Sequence, residues 1–176
     1  MTAYPKLSIR QAERRDFAAI ERIEHEADRL FIETFEPAHW PPPTSAPERL
    51  AQGGFLLVGE VNDRADGSHS LAGFVHVIET ADLAHLEQVS VLPAFGRRGY
   101  GRVLVEAAMR EVRERGHTEL TLRTYSDLPW NAPFYRGLGF TQSSPHGAFL
   151  LGLVEAERAE GLDRYGNRLQ MTVSLV

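Results

Sequence analysis

The sequence predicts an α+β domain built on a mixed, mostly antiparallel sheet that is flanked by helices. Short apolar, β-branched runs alternate with amphipathic helical segments in the order β-α-α-β-β-β-α-β-α-β-α-β. Three strands follow one another in the middle of the chain, which favours antiparallel pairing. A long helix then crosses between two strands, which favours one parallel pair. The 176 residues suit a single domain, spanning 1–176, with a sizeable core.

Each element follows from a local pattern. Asp16 is a candidate N-cap for the first helix, whose apolar positions recur at steps of three and four until about Phe35. A stiff extended loop is predicted by four prolines, Pro37, Pro41, Pro42 and Pro43. The strands are expected at residues 7–10, 55–61, 71–78, 83–91, 119–125, from Phe140 onward and at 168–176. The helices are expected at 17–35, 46–52, 99–115 (stopped by Gly116), 133–138 and 148–162, with a polar hairpin loop at 62–68.

Composition excludes several classes of function. A net charge of −5 argues against a nucleic-acid partner, because phosphate contacts need a basic surface. No apolar run approaches the roughly 20 residues that span a bilayer, and the first residues lack the apolar core of a signal peptide, so we expect no membrane partner and a cytoplasmic protein. The absence of cysteine excludes disulfides, thiolate metal sites and a cysteine nucleophile. We expect no metal.

The most informative stretch runs from Val89 to Arg102, VSVLPAFGRRGYGR. An alternating β-branched run leads into a turn of glycines and arginines, and a helix follows at once. Glycines let backbone N–H groups crowd around a ligand, and a helix N-terminus carries partial positive charge. Three arginines within six residues add full charges to an acidic chain. The stretch predicts a site for a phosphorylated ligand.

Two common phosphate-binding motifs do not fit this turn. A P-loop needs Lys and Ser/Thr after its last glycine, and here Arg102 and Val103 follow Gly101. A dinucleotide motif starting at Gly99 would need a third glycine where Leu104 stands. These mismatches disfavour a nucleotide-binding regulator. From this stretch alone, a left-handed turn with surface arginines stays an alternative.

A second motif lies about 35 residues further on, PWNAPFYRGLGF from Pro129 to Phe140. The first stretch resembles motif A of the GCN5-related N-acetyltransferases (GNAT), which is V-x-V, a proline, then Q/R-x-x-G-x-G/A opening a helix. The second resembles the family's motif B, N-x-x-x-Y-x-x-x-G-F. The resemblance implies the acyl-CoA N-acyltransferase fold and acetyl-CoA as cosubstrate. One departure is Gly96, which stands where the family usually has Gln or Arg.

The resemblance also implies which residues bind acetyl-CoA. Pantetheine would lie along the splayed end of the strand around Val89 to Val91 and bond to its backbone, while the valine side chains can still be core residues. The turn and the helix N-terminus would wrap the pyrophosphate. Asn131 would contact pantetheine or order its loop, and a helix N-cap is the alternative. The full set of expected cofactor-binding residues is Val89, Ser90, Val91, Gly96, Arg97, Arg98, Gly99, Tyr100, Gly101, Arg102 and Asn131. For each arginine, a solvated side chain remains an alternative.

Three residues are candidates for the chemistry. Tyr135 matches the family tyrosine that protonates the departing CoA thiolate, with a packing role as the alternative. An amine with a pKa of about 10.4 is mostly protonated at neutral pH, so a base or a water relay is useful. His85 and Glu87 precede the cofactor strand, and a strand period of two places them on one face together with Val89. We expect Glu87 as base, directly or through water, with His85 next, and the alternative for Glu87 is an exposed strand carboxylate paired with an arginine. A β-bulge would change which one faces the cleft.

The predicted function is direct acetyl transfer from acetyl-CoA to a primary amine of a small molecule or peptide. The alternative is a non-catalytic acyl-CoA-binding or sensory module. Acidic and aromatic residues that suit a cationic amine border the expected acceptor site, namely Asp28, Glu33, Glu36, His39 and Trp40. For each of them, the alternative is a solvated position on the surface or, for the tryptophan, an anchoring role. Residues 145–162 are a further candidate wall. The acceptor's identity is open, as is the choice between monomer and homodimer.

Overall fold

In the computed structural model, which describes residues 5–62 and 69–176, seven strands form one sheet in the order β1-β2-β3-β4-β5-β7-β6. Every neighbouring pair is antiparallel except β4 and β5, which are parallel. The predicted mixed, mostly antiparallel sheet is therefore confirmed. The strands are β1 Ser8–Gln11, β2 Phe55–Val61, β3 Ser70–Glu79, β4 Ala84–Val91, β5 Glu119–Tyr125, β6 Thr141–Ser143 and β7 Arg168–Ser174.

The helices lie close to their expected places. They are α1 Phe17–Phe35, α2 Ala46–Ala51, α3 Tyr100–Glu114, α4 Ala132–Arg136 and α5 Gly147–Ala159. Gly116 follows α3 with φ of 95°, a left-handed conformation that suits its predicted role as helix stop. Residues 36–45 form no helix or strand, in agreement with the predicted proline loop. Of the predicted hairpin loop at 62–68, residues 63–68 lie outside the described part of the chain.

Asp16 stands at the predicted N-cap position of α1, but the predicted capping by its side chain is wrong. Its carboxylate makes no capping hydrogen bond to α1. Instead Oδ2 accepts from the backbone N–H of Glu13 at 2.7 Å, and the carboxylate forms a salt bridge to Arg10 at 2.6 Å. Asp16 therefore closes a short 3₁₀ turn before α1 and fastens it to β1. Arg10 is only six residues away, but the pair joins a strand to the turn that follows it, so no single helix or strand period reveals it.

The C-terminal elements differ in extent from the prediction. Phe140 is buried in the core and β6 begins only at Thr141, so this strand has three residues. Helix α5 ends at Ala159, and a separate 3₁₀ turn, Leu162–Tyr165, follows Gly161. Gly161 has φ of 73°, which breaks the helical backbone at that point.

The sheet has a different core on each face. The face toward α3 carries the larger apolar cluster, in which Val75, Val77 and Leu86 pack with Leu104 and Val105. The face toward α1 carries a smaller cluster of Ile20, Ile23, Leu56, Val58 and Phe74. Polar groups are also buried on the α1 side of the sheet. The two faces thus separate an apolar layer from one that contains charges.

His76 is the deepest of these polar groups. It follows Phe74 by two residues in β3, is fully buried, and has no hydrogen-bond partner among the described residues at either ring nitrogen. Burial, with a contribution from the charge of Arg49, lowers the pKa of His76 to about 4. The folded protein therefore holds this imidazole neutral at pH values where an unfolded chain protonates it.

His76 makes folding sensitive to acid. Its folded pKa of about 4 lies below its unfolded value of 6.5, so its stabilising contribution is present above pH 6.5 and is lost as the pH falls toward 4. Between pH 8 and pH 5 this loss is about 2 kcal/mol. His76→Leu removes it, so urea denaturation should show a correspondingly smaller loss of unfolding free energy in the variant. Equal losses in both proteins would contradict the assignment of this buried, neutral histidine.

Candidate functional site

Strand β4 contains a β-bulge at Glu87. Val77 of β3 pairs with Leu86 and His76 pairs with Gln88, so Glu87 is an extra residue without a partner in β3. The bulge reverses the alternation of the strand. Val89, expected on the face of His85 and Glu87, packs instead against the α3 core, and that prediction is wrong. The sequence alone left open whether a bulge would change which of His85 and Glu87 faces the cleft. In the structure Glu87 is exposed and His85 is buried.

Beyond the bulge, β4 parts from β5. The register between these two strands, both fully described, consists of His85 with Thr121 and Leu86 with Leu122. On its other side β4 stays paired with β3 as far as Val91. The backbone of β4 from Glu87 to Val91 therefore has one edge without a strand partner. Such an edge offers N–H and C=O groups to an extended ligand.

Glu87 lies among charges from several elements. Its side chain is 35% exposed, yet the surrounding protein desolvates the carboxyl and raises its pKa. Arg49 opposes this effect most strongly, Glu157 reinforces it, and smaller effects come from Arg168 and Glu160. A carboxyl that is both accessible and partly desolvated is suited to accept a proton near neutral pH.

Arg49 is the buried cation of this group. It is 2% exposed and forms a salt bridge with Glu24 of α1, and its guanidinium lies 5.5 Å from the ring centre of Phe74. Burial raises the pKa of Glu24, and the charge and hydrogen bond of Arg49 oppose the rise. The pair ties α1 to α2, and it is near enough to Glu87 for the charge of Arg49 to act on that carboxyl.

His85 sits beside Glu87 but is 2% exposed. Its Nδ1 lies 2.8 Å from the Thr121 hydroxyl, its Nε2 lies 4.0 Å from Glu87 Oε2, and its ring meets Phe149 edge-on. Burial lowers its pKa to about 3, helped by the charges of Arg123 and Arg168. An imidazole of such low pKa is a weak base. The site therefore favours Glu87 over His85 as the direct proton acceptor.

The glycine turn continues from β4 into α3. A 3₁₀ turn, Pro93–Phe95, precedes it, and Gly99 takes a left-handed φ of 81° as the residue before the helix. A Cβ built on Gly99 would meet nothing within 4 Å, so its need for glycine is conformational rather than steric. Tyr100 is buried and its hydroxyl donates to the carbonyl of Pro5 at 2.6 Å, which gives its side chain a structural role.

The three arginines of the turn have different surroundings. Arg98 donates to the carbonyl of Ala94 at 2.9 Å and lies over the ring of Phe95. Arg102 donates to the carbonyl of Gly137 at 3.1 Å and pairs weakly with Glu106. Arg97 is exposed, has a left-handed φ of 59°, and makes no hydrogen bond or ion pair with the rest of the described chain.

The two sequence motifs meet in space. A Cβ built on Gly101 would lie 3.6 Å from the ring of Phe134 and 3.9 Å from Val91. The bond from Arg102 to Gly137 joins the same two segments. The end of β4, the start of α3 and the helix α4 therefore form one continuous surface, although about 35 residues separate the motifs.

Two polar residues of the second motif are available at this surface. Tyr135 packs edge-on against Phe134 and Phe140, and burial raises the pKa of its phenol. No described residue hydrogen-bonds to its hydroxyl. Asn131 precedes α4 and accepts the N–H of Tyr135 through its own carbonyl, but its side chain makes no capping hydrogen bond. The N-cap alternative for this side chain is thereby disfavoured.

Of the residues expected at the acceptor side, Asp28 and Trp40 are bonded to each other. Trp40 Nε1 donates to Asp28 Oδ2 at 3.1 Å, and its ring stacks on Phe31 at 5.9 Å. Glu33, Glu36 and His39 are exposed. The alternative reading of Trp40 as an anchor for the proline loop is therefore favoured.

The segment at 145–162 supplies α5, and the ring of its Phe149 lies against His85. Glu157 accepts from Arg123 at 2.7 Å and also binds Arg168, so α5 is tied to β5 and β7. A polar cavity of about 460 Å³ lies between α5 and these strands.

Sequence reasoning missed Glu24, Arg49 and Thr121. Glu24 carried a signal, because it is a charged residue within the apolar stripe of α1 beside Ile20 and Ile23. Its partner Arg49 is 25 residues away, and no local pattern pairs them. The described residues contain no group of three or more His, Asp or Glu side chains placed to hold a metal ion. None of the described helices is long and apolar enough to cross a bilayer.

Comparison with known proteins agrees with this geometry. The chain matches the model of the acetyltransferase (GNAT) family over residues 11–140. It is similar in structure to the ribosomal-protein-S18-alanine N-acetyltransferase of Escherichia coli, with 19% identity, a TM-score of 0.66, and coverage of 97% of this chain and 94% of that one. It is also similar to N-acetylglutamate synthase of Neisseria gonorrhoeae, solved with coenzyme A and N-acetyl-glutamate. The identity is 18%, the TM-score is 0.66, and the match covers 97% of this chain and 35% of that one.

A third similar structure is a GNAT family acetyltransferase from Brucella melitensis in complex with acetyl-CoA, with 23% identity, a TM-score of 0.56, and coverage of 78% of this chain and 84% of that one. At these identities the structural likeness shows the fold. The family model covers well over half of the sequence, including both motifs and the bulged strand β4. The chain therefore belongs to the GNAT acetyltransferase family.

Proposed function

We propose that this protein is a cytoplasmic N-acetyltransferase, a single domain over residues 1–176 that moves acetyl from acetyl-CoA directly to a primary amine. The observation that carries the proposal is the parting of β4 from β5 at the bulge. It leaves an open backbone edge from Glu87 to Val91 that leads straight into the glycine turn and α3. Glu87 lies in β4 itself, Tyr135 lies in α4, and Asn131 directly precedes α4.

The residues present fit acetyl-CoA. Backbone groups around Val89, Ser90 and Val91 would bond to the pantetheine amides, and Asn131 would add its free side chain. The first turn of α3 has backbone N–H groups that no helical carbonyl accepts, and these would hold the pyrophosphate together with the loop from Gly96 to Gly101. Arg97, the exposed arginine of the turn without a described partner, would supply the charge. When bound, acetyl-CoA supplies an activated acyl group as a thioester.

Glu87 acts as the base in the proposed reaction. It takes a proton from the ammonium of the acceptor, directly or through one water, and the neutral nitrogen attacks the thioester carbonyl. Arg49 opposes the effect of burial on the pKa of this carboxyl and so favours the ionised form, which is the form that accepts a proton. The chain has no cysteine, so no acyl-cysteine intermediate forms on it and the transfer is direct.

Tyr135 acts as the acid. When the C–S bond breaks, its hydroxyl donates a proton to the departing thiolate. The nitrogen releases its second proton as the amide forms, and this proton restores the phenol, directly or through water. Burial raises the pKa of the phenol, so it remains protonated throughout the physiological range. The Phe134 and Phe140 rings fix the orientation of its ring.

The acceptor class is a small molecule or a peptide with a primary amine. The similar structures carry names that indicate a ribosomal-protein alanine for one and glutamate for another, so the fold alone does not select between them.

The second candidate function is a non-catalytic acyl-CoA-binding module, which the same open edge would serve. Thiol release from acetyl-CoA across a panel of amines separates the two, because a sensory module binds without releasing thiol.

Coenzyme A should stabilise the protein in a thermal-shift assay, whereas NAD and ATP should not, because the turn lacks their motifs. Arg97→Ala should weaken coenzyme A binding by about tenfold while leaving the free protein's melting temperature unchanged. Arg110→Ala is the matched control, since Arg110 is an exposed arginine further along α3. Stronger stabilisation by NAD or ATP, or equal effects of the two substitutions, would contradict the assignment.

Glu87→Gln should lower turnover by roughly 100-fold near pH 7, because the variant has no group to take the ammonium proton. The deficit should shrink as the pH rises toward the amine's own pKa, where neutral amine becomes abundant. The measurement is the pH profile of kcat with saturating acetyl-CoA. Glu155→Gln makes the same charge change on the exposed face of α5 and should leave the profile intact. A profile unchanged by Glu87→Gln would move the base role to His85 or water.

Tyr135→Phe should reduce kcat by about 10-fold, while the dissociation constant for coenzyme A, measured by titration, should stay within about twofold. The thiol pKa of about 8.5 makes thiolate a fair leaving group, so the loss of its proton donor is a modest one. The phenyl ring preserves the contacts to Phe134 and Phe140. Equal losses in turnover and affinity would mean that Tyr135 only packs.

A further inference from the structure

Thr121 makes two contacts that together fix the tautomer of His85. Its hydroxyl oxygen lies 2.8 Å from His85 Nδ1 and 3.2 Å from the carbonyl oxygen of Ala84. The carbonyl can only accept, and the hydroxyl has one hydrogen to give. Both contacts are hydrogen bonds when the hydroxyl donates to Ala84 and accepts from Nδ1–H. The proton of the neutral imidazole then resides on Nδ1.

The other tautomer satisfies fewer groups. With the proton on Nε2, the hydroxyl would donate to Nδ1, and the carbonyl of Ala84 would lose its bond to Thr121. The Nε2–H would face Glu87 Oε2 at 4.0 Å, beyond hydrogen-bond reach. Thr121 is 1% exposed, so water competes poorly for these groups, and buried polar groups are normally bonded. Double protonation is disfavoured because burial holds the pKa of His85 at about 3.

The consequence appears at the opposite ring nitrogen. In this tautomer Nε2 has a lone pair and can only accept a hydrogen bond. It faces the Glu87 carboxylate, which when ionised can also only accept. Two acceptors 4.0 Å apart cannot bond to each other. A single nitrogen with two hydrogens, placed about 2.8 Å from each, can bond to both. The ammonium group of a primary amine meets this requirement and has a third hydrogen besides.

We infer that Thr121 is a positioning residue that holds His85 as its Nδ1–H tautomer, so that His85 Nε2 and Glu87 form a two-acceptor seat for the nitrogen of the amine substrate. This role rests on the proposed function. It assigns His85 to binding and orienting the amine rather than to removing its proton. Glu87 takes the proton, while the bond to Nε2 retains the nitrogen in place.

The tautomer is testable without any activity. In nitrogen-resolved NMR spectra of the histidine side chains, with His85 assigned by its loss in His85→Gln, the wild-type ring should show the Nδ1–H pattern between pH 6 and 8. Thr121→Val, which keeps the shape and removes the hydroxyl, should shift the ring toward Nε2–H, and Thr121→Ser should restore Nδ1–H. An Nε2–H pattern in the wild type, or no change in Thr121→Val, would overturn the inference.

Kinetics test the seat itself. Thr121→Val should raise the KM for the amine by about five- to tenfold, as for one lost hydrogen bond, without changing the affinity for coenzyme A. Thr124→Val is the matched control: Thr124 is 3% exposed in the same strand, three residues away and on the alternate face. An unchanged KM in Thr121→Val, despite a shifted tautomer, would refute the seat. Absence of transfer to any amine would refute the proposed function, and the NMR result would still judge the tautomer.

Discussion

The site depends on one constraint, the bulge that puts Glu87 into β4 as an extra residue. It interrupts the pairing of β4 with β3, and at the same point β4 separates from β5. A bulge bends its strand and increases the local twist. On the β3 side the ladder resumes at Gln88 and holds β4 in the sheet as far as Val91. On the β5 side the parallel register ends at Leu86. The strand therefore remains rigid while one of its edges is left without a partner, which is what an extended ligand requires.

The same bulge divides side chains between the two faces of the sheet. After it, Val89 and Val91 turn into the α3 core and help to fix the start of that helix, where a Cβ on Gly101 would touch Val91. Before it, His85 stays among the buried polar groups on the α1 side, and Glu87 itself reaches solvent. Helix positioning and proton chemistry thus come from consecutive residues of one strand. Without the extra residue, the alternation of the strand would place Val89 and His85 on the same face of the sheet, so one of them would lie on the opposite side from the one it occupies here.

The sequence was sufficient for the order of elements and for the parallel pair beside α3, because these depend on local periodicity. Its two short signatures also identified segments that the fold brings together. The sequence was insufficient for the face of Val89, because a bulge is a property of the register between two strands and leaves no mark on either one. The partners of Asp16 and Glu24 were missed for a similar reason. Arg49 is 25 residues from Glu24, and only the packing of α1 against α2 brings them together.

The departure of this chain from the family pattern at Gly96 has a structural counterpart in the next residue. Gly96 has φ of −61° and ψ of 157°, a conformation open to any residue, although an added Cβ would lie 3.1 Å from the carbonyl of Pro93. Arg97 takes the left-handed conformation that usually favours glycine, at a cost of roughly 1–2 kcal/mol. Such strain persists where the surrounding structure imposes it. Here the glycine at position 96 lies in ordinary backbone, and its neighbour Arg97, which has no hydrogen-bond or ion-pair partner in the described chain, occupies the strained position.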